Sequence, residues 1–307
     1  MTQAANRVNR NERENPMPDL QSPWRELPIV FEYEGSRLIG IATIPVKPVE
    51  TGVVIVVGGP QYRAGSHRQF TLLARHLASE NIASFRFDYR GMGDSEGDRR
   101  NFEVVDADIR AAIDAFLKQV PNVSKIVLWG LCDAASAALI YGHTDSRVNG
   151  LILLNPWVHS EQGAARVMVK RYYFDRIFQR SFWASLFSGK INLITSFSSV
   201  MQLLRAAFMK KNQPNASALD MELDFIRRML IGFQKFKNHV LIVLSENDYT
   251  AREFQDLYAS CHDWKARVEH PGVLCKKIPF ANHTFSSDKW RDEISILTKK
   301  WIIETFH

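Results

Sequence analysis

Short, continuous hydrophobic runs recur along the chain and alternate with amphipathic segments. Apolar residues in those segments return every three or four positions. Strands are predicted at residues 53–57, 82–87, 126–129, 148–154, 240–244 and 273–278, and several of them, such as 53–57 and 240–244, are continuously apolar. Continuous β-branched and aliphatic runs are typical of strands buried on both faces of a parallel sheet. Strands that alternate with helices predict a doubly wound, mostly parallel α/β sheet.

Two alternating runs at residues 29–33 and 37–43 precede the first buried strand, and Glu34-Gly35-Ser36 separates them. This pattern predicts a β-hairpin. Residues 1–22 are polar and charged and lack the apolar centre of a signal peptide, so we interpret them as a flexible arm.

The alternation stops after the sixth predicted strand. From about residue 158 to 238 no buried strand is indicated, and the sequence is helical in character and rich in aromatic residues. We interpret residues 158–217 as a helical cap, with residues 23–157 and 218–307 forming the α/β domain. The aromatic side chains of Tyr172, Phe178 and Trp183 either contact a substrate or pack the cap on the domain.

A tight turn is predicted directly after the strand at residues 126–129. Its sequence is Gly130-Leu131-Cys132-Asp133-Ala134, the nucleophile-elbow pattern G-x-S-x-G with Cys132 in the serine position. The pattern requires small residues on either side, because the strained turn brings strand and helix together. It also places the Cys132 sulfur at a helix N-terminus, where the dipole and free amides favour a thiolate. Alternatively, Cys132 is a small buried hydrophobic residue and the pentapeptide is a chance match.

Two further polar residues follow predicted strands in the order that the elbow requires. Asp248 follows residues 240–244, and His283 follows residues 273–278. An acid and a histidine in these places complete a Cys132–Asp248–His283 triad. Glu246 is a rival for the acid, and Asp248 is also suited to capping the next helix.

The same fold pattern predicts two backbone donors for an oxyanion. One is the amide of Asp133, and the other belongs to the loop after residues 53–57, which reads Gly58-Gly59-Pro60-Gln61. Pro60 has no N–H, which leaves Gln61 as the candidate. The Asp133 carboxylate would oppose a neighbouring thiolate unless its side chain points away, and the sequence leaves that orientation open.

Composition narrows the choice of partners. The net charge of +6 is concentrated in residues 166–211, which hold nine basic residues and one acid, so nucleic-acid binding is not indicated. Three irregularly spaced cysteines fit neither a disulfide framework nor a zinc site, and a reducing, cytoplasmic location is expected. His67, His76 and His262 lack the spacing of metal ligands, and no cofactor or metal is predicted.

A long loop motif carries a family resemblance. The sequence Asp88-Tyr89-Arg90-Gly91-Met92-Gly93-Asp94-Ser95-Glu96-Gly97 resembles the D-x-R-G-x-G-x-S-x-G loop of α/β-hydrolases. Segments that begin at Gly58, Gly130 and Glu246 are similar to the exosortase A system-associated hydrolase 1 family, which occurs with exopolysaccharide and protein-sorting gene clusters of Gram-negative bacteria. This chain has Cys132 for serine, Ala134 for glycine, and Gly-Gly-Pro-Gln where many relatives have His-Gly. Cysteine in place of serine also occurs in dienelactone hydrolases, so this exchange does not by itself imply an inactive site.

Together these features predict an ester or thioester hydrolase that forms an acyl-thioester at Cys132. The acyl substrate is expected to be lipophilic or carrier-linked, and the basic cap is suited to peripheral contact with an anionic membrane. An acyltransferase with the same intermediate and a non-catalytic component of an exopolysaccharide or protein-sorting system are the alternatives. The oligomeric state is left open.

Overall fold

The computed structural model describes residues 23–59, 61–159 and 216–307, with side chains given from residue 225 in the last range. Eight strands within these residues form one sheet in the order β1-β2-β4-β3-β5-β6-β7-β8. The strands are β1 Trp24–Tyr33, β2 Ser36–Pro45, β3 Thr51–Val56, β4 Ala83–Asp88, β5 Lys125–Leu131, β6 Val148–Leu154, β7 His239–Ser245 and β8 Val273–Ile278. The predicted α/β sheet is thus confirmed.

Strand direction divides the sheet into two parts. β1 pairs with β2 and β2 with β4 in antiparallel fashion, which confirms the predicted hairpin, while all pairs from β4 through β3 to β8 are parallel. Parallel strands end at a common edge of the sheet. The loops that follow β3, β5, β7 and β8 therefore meet there, as the fold requires for a site at that edge.

Helices cover both faces of the sheet. The described helices are α1 Gln69–Ser79, α2 Asp106–Gln119, α3 Asp133–Tyr141, α4 Ala216–Lys235, α5 Tyr249–Ser260, α6 His262–Val268 and α7 Asp288–Phe306. In β3, Val54 and Val56 join the core cluster that contains α2, α3 and α4, whereas Val53 and Ile55 join the cluster beneath α1 and α7. Burial on both faces explains why this strand is a continuous hydrophobic run.

Two helix starts differ from the sequence prediction. The spacing of apolar residues predicts a helix from about Ser66, but α1 begins at Gln69 because His67 and Arg68 have φ angles of 51° and 59°. The same kind of spacing predicts a helix from Val104, but α2 begins at Asp106, and Val104 is 53% exposed. The short helix α6 is not indicated by any such pattern.

The predicted arm at residues 1–22 and nearly all of the predicted cap lie outside the described residues, so both stay predictions. α4 begins at Ala216, and its Met229 and Phe233 are buried in the main core. No helix within the described ranges combines the length and the apolar character needed to cross a bilayer.

Candidate active site

The turn between β5 and α3 has the backbone that the elbow pattern predicts. Cys132 has φ 63° and ψ −124°, a conformation that is strained for a residue with a side chain. A Cβ atom at Gly130 would lie 2.6 Å from the carbonyl carbon of Ala134. Glycine at position 130 is therefore required for the strand and the helix to approach this closely.

Backbone hydrogen bonds hold this turn against the end of β6. The amide of Cys132 donates to the carbonyl of Leu154 over 2.8 Å, and the amide of Trp157 donates to the carbonyl of Cys132 over 3.2 Å. Cys132 is half-buried. The strained position is thus fixed by its neighbours rather than by the turn alone.

His283 and Asp248 form the second part of the site. His283 Nδ1 lies 2.9 Å from Asp248 Oδ2. Asp248 is buried and also accepts a bond from the Ala251 amide over 3.1 Å, so it caps α5 and contacts the histidine at once. The carboxylate of Glu246, the rival acid, is exposed and accepts from the Phe280 amide over 2.9 Å. Asp248 is the partner of His283 in this arrangement.

The histidine connects the acid to the thiol. Its hydrogen bonds with Asp248 and then with Cys132 raise the pKa of His283 to about 10, although burial opposes this. The raised pKa favours the protonated form of the ring. A histidine placed between a buried carboxylate and a thiol is the arrangement that nucleophilic cysteine catalysis requires.

The Asp133 side chain points toward the loop after β3 rather than toward the sulfur. Its Oδ2 accepts from the Gly59 amide over 2.8 Å, and its Oδ1 accepts from the Ala134 amide over 2.9 Å. Burial raises the pKa of Asp133, and the two amides partly oppose that shift. A Cβ atom at Gly58 would lie 2.0 Å from Oδ1, so only glycine leaves room for this carboxylate.

Gln61 lies in the same loop, and both of its hydrogen bonds to described residues are long. Its amide donates to the Gly58 carbonyl over a long 3.4 Å, and its Oε1 accepts from the Ser66 amide over 3.3 Å. Pro60 lies outside the described residues. The assignment of Gln61 as an oxyanion donor therefore stays a prediction.

The D-x-R-G motif braces this loop. Asp88 accepts from the Arg63 amide over 2.6 Å and from the Asp94 amide over 3.2 Å, and it forms an ion pair with the Arg63 guanidinium. The Ser95 hydroxyl donates to the Asp88 carbonyl over 2.6 Å. A Cβ atom at Gly93 would lie 2.2 Å from the Asp88 carboxylate. The motif thus anchors the chain next to Gln61.

Sequence reasoning missed Asn155, which links three strand ends. Asn155 is fully buried and has a φ of 45°. Its Nδ2 donates to the Ser245 hydroxyl and to the His283 carbonyl, both over 2.9 Å, and its Oδ1 accepts from the Ser245 amide over 2.8 Å. The one sequence feature that could have indicated this role is its position, since Asn155 is a polar residue directly after a hydrophobic strand.

A cleft of about 390 Å³ opens beside the elbow. It is lined by Gly59, Tyr89, Met92, Arg99, Arg100, Asn101, Phe102 and Asp133. Burial and then the Asp133 charge raise the pKa of Tyr89 to about 12, while Arg99 opposes the shift. The cap residues Tyr172, Phe178 and Trp183 lie outside the described residues. Within those residues, no three His, Cys, Asp or Glu side chains group as metal ligands.

Comparisons with known proteins place these features in a family. Residues 50–268 match the model of the family described as serine aminopeptidase, S33. Human monoglyceride lipase is 27% identical over 152 residues, and this alignment spans 48% of each chain. The chain therefore matches about half the length of that curated relative.

Solved structures share the fold at low sequence identity. An esterase from Pyrococcus furiosus has a TM-score of 0.60 and 13% identity, with 92% of this chain and 93% of the esterase covered. Est1E from Butyrivibrio proteoclasticus, in a structure with ferulic acid bound, has a TM-score of 0.59 and 14% identity, with 90% and 98% covered. A dienelactone hydrolase from Anabaena variabilis has a TM-score of 0.58 and 10% identity, with 93% and 100% covered. With the family match over most of the chain, the protein belongs to the serine aminopeptidase S33 family and has the α/β-hydrolase fold.

Proposed function

We propose that the protein hydrolyses an ester or thioester with Cys132 as nucleophile, His283 as proton carrier and Asp248 as the partner that orients the imidazole. The observation that carries this proposal is the contact of His283 with both other side chains at one edge of the sheet. A lone buried cysteine would need neither the strained backbone nor the histidine. The intact acid and histidine also argue against a non-catalytic role.

The first half of the reaction forms a covalent intermediate. The Cys132 thiolate attacks the acyl carbonyl carbon, and the carbonyl electron pair moves to oxygen. The Asp133 amide at the start of α3 is the proposed donor to this oxyanion, and the Gln61 amide is the proposed second donor. When the tetrahedral intermediate collapses, the bond to the leaving group breaks and the leaving group takes the proton from His283. The products are a free alcohol or thiol and an acyl-thioester at Cys132.

The second half regenerates the enzyme. His283, now neutral, removes a proton from water, and the resulting hydroxide attacks the thioester carbonyl. Collapse expels the Cys132 thiolate and releases a carboxylic acid, while His283 keeps the proton. Asp248 stabilises the charged ring through both halves.

Several observations favour a lipophilic acyl substrate. The alignment with monoglyceride lipase and the esterase folds support ester chemistry. Aromatic residues such as Tyr172, Phe178 and Trp183 are proposed to contact the acyl chain from the cap. The basic residues of that segment suit an anionic carrier or a peripheral membrane contact. We further propose a cytoplasmic role within an exosortase-associated system, as the sequence resemblance implies.

A substrate panel tests this function. Purified protein is assayed with p-nitrophenyl esters and with acyl thioesters of increasing chain length, alongside Cys132→Ala and the matched control Cys261→Ala. We expect turnover by the parent and by Cys261→Ala, none by Cys132→Ala, and an acyl adduct on Cys132 in quenched samples. Acyl transfer to an added alcohol or amine in preference to water would instead identify an acyltransferase. Turnover that survives in Cys132→Ala would contradict the proposal.

A further inference from the structure

The cleft beside the elbow contains charge that the hydrolytic steps do not use. Its lining includes Gly59 and Asp133, the residue that follows Cys132 in the chain, and also Arg99 and Arg100. A second cleft of about 460 Å³ shares Met92 and Arg99 with the first and reaches Gln61. Arg99 therefore borders both clefts, one of which contains Asp133 and the other Gln61, the residues of the two proposed oxyanion donors.

The two arginines are poorly neutralised. Arg99 is exposed and forms no ion pair within the described part of the chain. The Nε atom of Arg100 is buried, and no acceptor for it occurs among the described residues. Because an unpaired guanidinium N–H loses its hydration on burial, such a donor favours an incoming acceptor.

The acids near these arginines are already engaged. Arg90 bonds Asp108 over 2.6 Å and also pairs with Glu34, so these two carboxylates feel the Arg100 charge without bonding it. The Asp133 carboxylate is held by two amides. Two guanidinium groups and one carboxylate line the cleft, so the charge that faces it is on balance positive.

Apart from Asn101, the rest of the side-chain lining is aromatic or apolar, and part of it is fixed in place. Tyr89 and Met92 are buried, and the Phe102 ring packs edge-on against Phe225 with centroids 5.5 Å apart. A lining that combines such side chains with two guanidinium groups suits a short carbon chain that carries an anion. Guanidinium groups bind carboxylate and phosphate oxygens through paired hydrogen bonds.

We propose that Arg99 and Arg100 form an anion subsite, and that the substrate carries a carboxylate or phosphate a few atoms from the scissile carbonyl. This inference rests on the proposed hydrolase function and narrows its substrate class. The anion belongs either to the acyl chain or to the leaving group, since both extend from the same carbonyl carbon.

Three small esters separate these sources. p-Nitrophenyl pentanoate is neutral, the p-nitrophenyl monoester of glutarate carries its anion on the acyl chain, and the pentanoate ester of p-hydroxybenzoate carries it on the leaving group. kcat/KM is measured for each with the parent, with Arg99→Gln/Arg100→Gln, and with the exposed control Lys118→Gln. We expect the double variant to lower the anionic-to-neutral ratio of kcat/KM about tenfold or more for one of the anionic esters. Lys118→Gln should leave every ratio unchanged.

A binding measurement tests the anion subsite without requiring that the protein hydrolyse any ester. Titration calorimetry with glutarate and with p-hydroxybenzoate should show that one of them binds the parent and that Arg99→Gln/Arg100→Gln weakens this binding. If the parent hydrolyses no ester but binds one of the anions through the arginines, the proposed function fails while the subsite stands. Equal ratios and equal binding in parent and double variant would overturn the subsite, even if the neutral ester is hydrolysed.

Discussion

At the scale of single residues, Cys132 differs from the other two cysteines in its contacts. Its sulfur contacts His283, whose pKa is raised by this contact and by Asp248, whereas burial raises the pKa of the Cys275 thiol. The thiolate is the reactive form of cysteine. We therefore expect brief treatment with iodoacetamide at neutral pH to alkylate Cys132 much faster than Cys261 or Cys275, as measured by peptide mass spectrometry. Equal labelling of all three, or labelling only after denaturation, would contradict a thiolate at Cys132.

Cys132→Ser should fold normally, because the volume change is small, but its turnover of esters should fall by about a hundredfold or more. A serine hydroxyl is far less acidic than a thiol and must lose its proton to a base during attack, so a site built around a thiol lacks the general-base strength that serine needs. The thermal midpoint Tm measures whether the variant folds normally, and kcat for a p-nitrophenyl ester measures the loss of turnover. Turnover equal to that of the parent would show that the site serves either nucleophile.

Asp133 fixes the loop that follows β3 through its bond to the Gly59 amide. Asp133→Asn retains the shape but offers only one acceptor oxygen for two amide donors, so the loop should shift. We expect kcat to fall about tenfold while KM changes less than about twofold, because oxyanion donors act mainly in the transition state. The exposed Asp98→Asn is the matched control. A rise in KM with kcat unchanged would assign Asp133 to substrate binding instead.

At the scale of elements, Asn155 connects the end of β6 with the loops after β7 and β8. Asn155→Ala leaves the Ser245 amide and the His283 carbonyl without this partner, and each buried unsatisfied group costs about 1–3 kcal/mol. We expect a lower free energy of unfolding in urea together with a lower kcat. Asn122→Ala, at an exposed turn, should change neither. Full activity in Asn155→Ala would mean that the histidine loop is positioned by other contacts.

Sequence patterns located best the strands that are buried along nearly their whole length. The strands β3, β5 and β7 are buried on both faces, so their hydrophobic runs have clear ends, and Cys132 and Asp248 follow those ends. His283 follows β8, an edge strand that is only partly buried and that the sequence marks less clearly. The order of the three could therefore be predicted without coordinates.

Side-chain direction was not predictable in the same way. The sequence left the orientation of the Asp133 carboxylate open, because its partner Gly59 is distant along the chain and meets it only after the sheet forms. Asn155 bonds loops that are equally remote in sequence. The left-handed backbone of His67 and Arg68, which delays the start of α1, carries no glycine to mark it. Tertiary contacts decide all of these features.

At the scale of the whole molecule, the raised pKa of His283 links stability to pH. Relative to an ordinary value of 6.5, a folded-state pKa of about 10 stabilises the fold fully below pH 6.5, and this contribution is lost as the pH rises through about 10. Asp248→Asn removes the largest cause of the shift. The difference in unfolding free energy between parent and variant should therefore be largest near pH 6 and shrink toward pH 10, by at most about 1.4 kcal/mol per pH unit.

Urea unfolding followed across that range measures the difference, and the same comparison in a His283→Gln background is the control. Without the imidazole, the change in unfolding free energy caused by Asp248→Asn should no longer depend on pH in this window. A pH-independent difference in the chain that retains His283 would mean that the histidine is not protonated in the folded state.

The lack of space at Gly58 also constrains how this sequence can change over generations. A Cβ atom there would lie 2.0 Å from Oδ1 of Asp133, 2.8 Å from the amide nitrogen of Ala134 and 3.0 Å from the Ala134 Cβ atom. Removal of the Asp133 carboxylate would relieve only the first of these contacts, so a substitution at position 58 is expected to be harmful whichever residue occupies position 133. Position 58 is therefore expected to stay glycine in every descendant sequence that keeps this close approach of the loop to the start of α3.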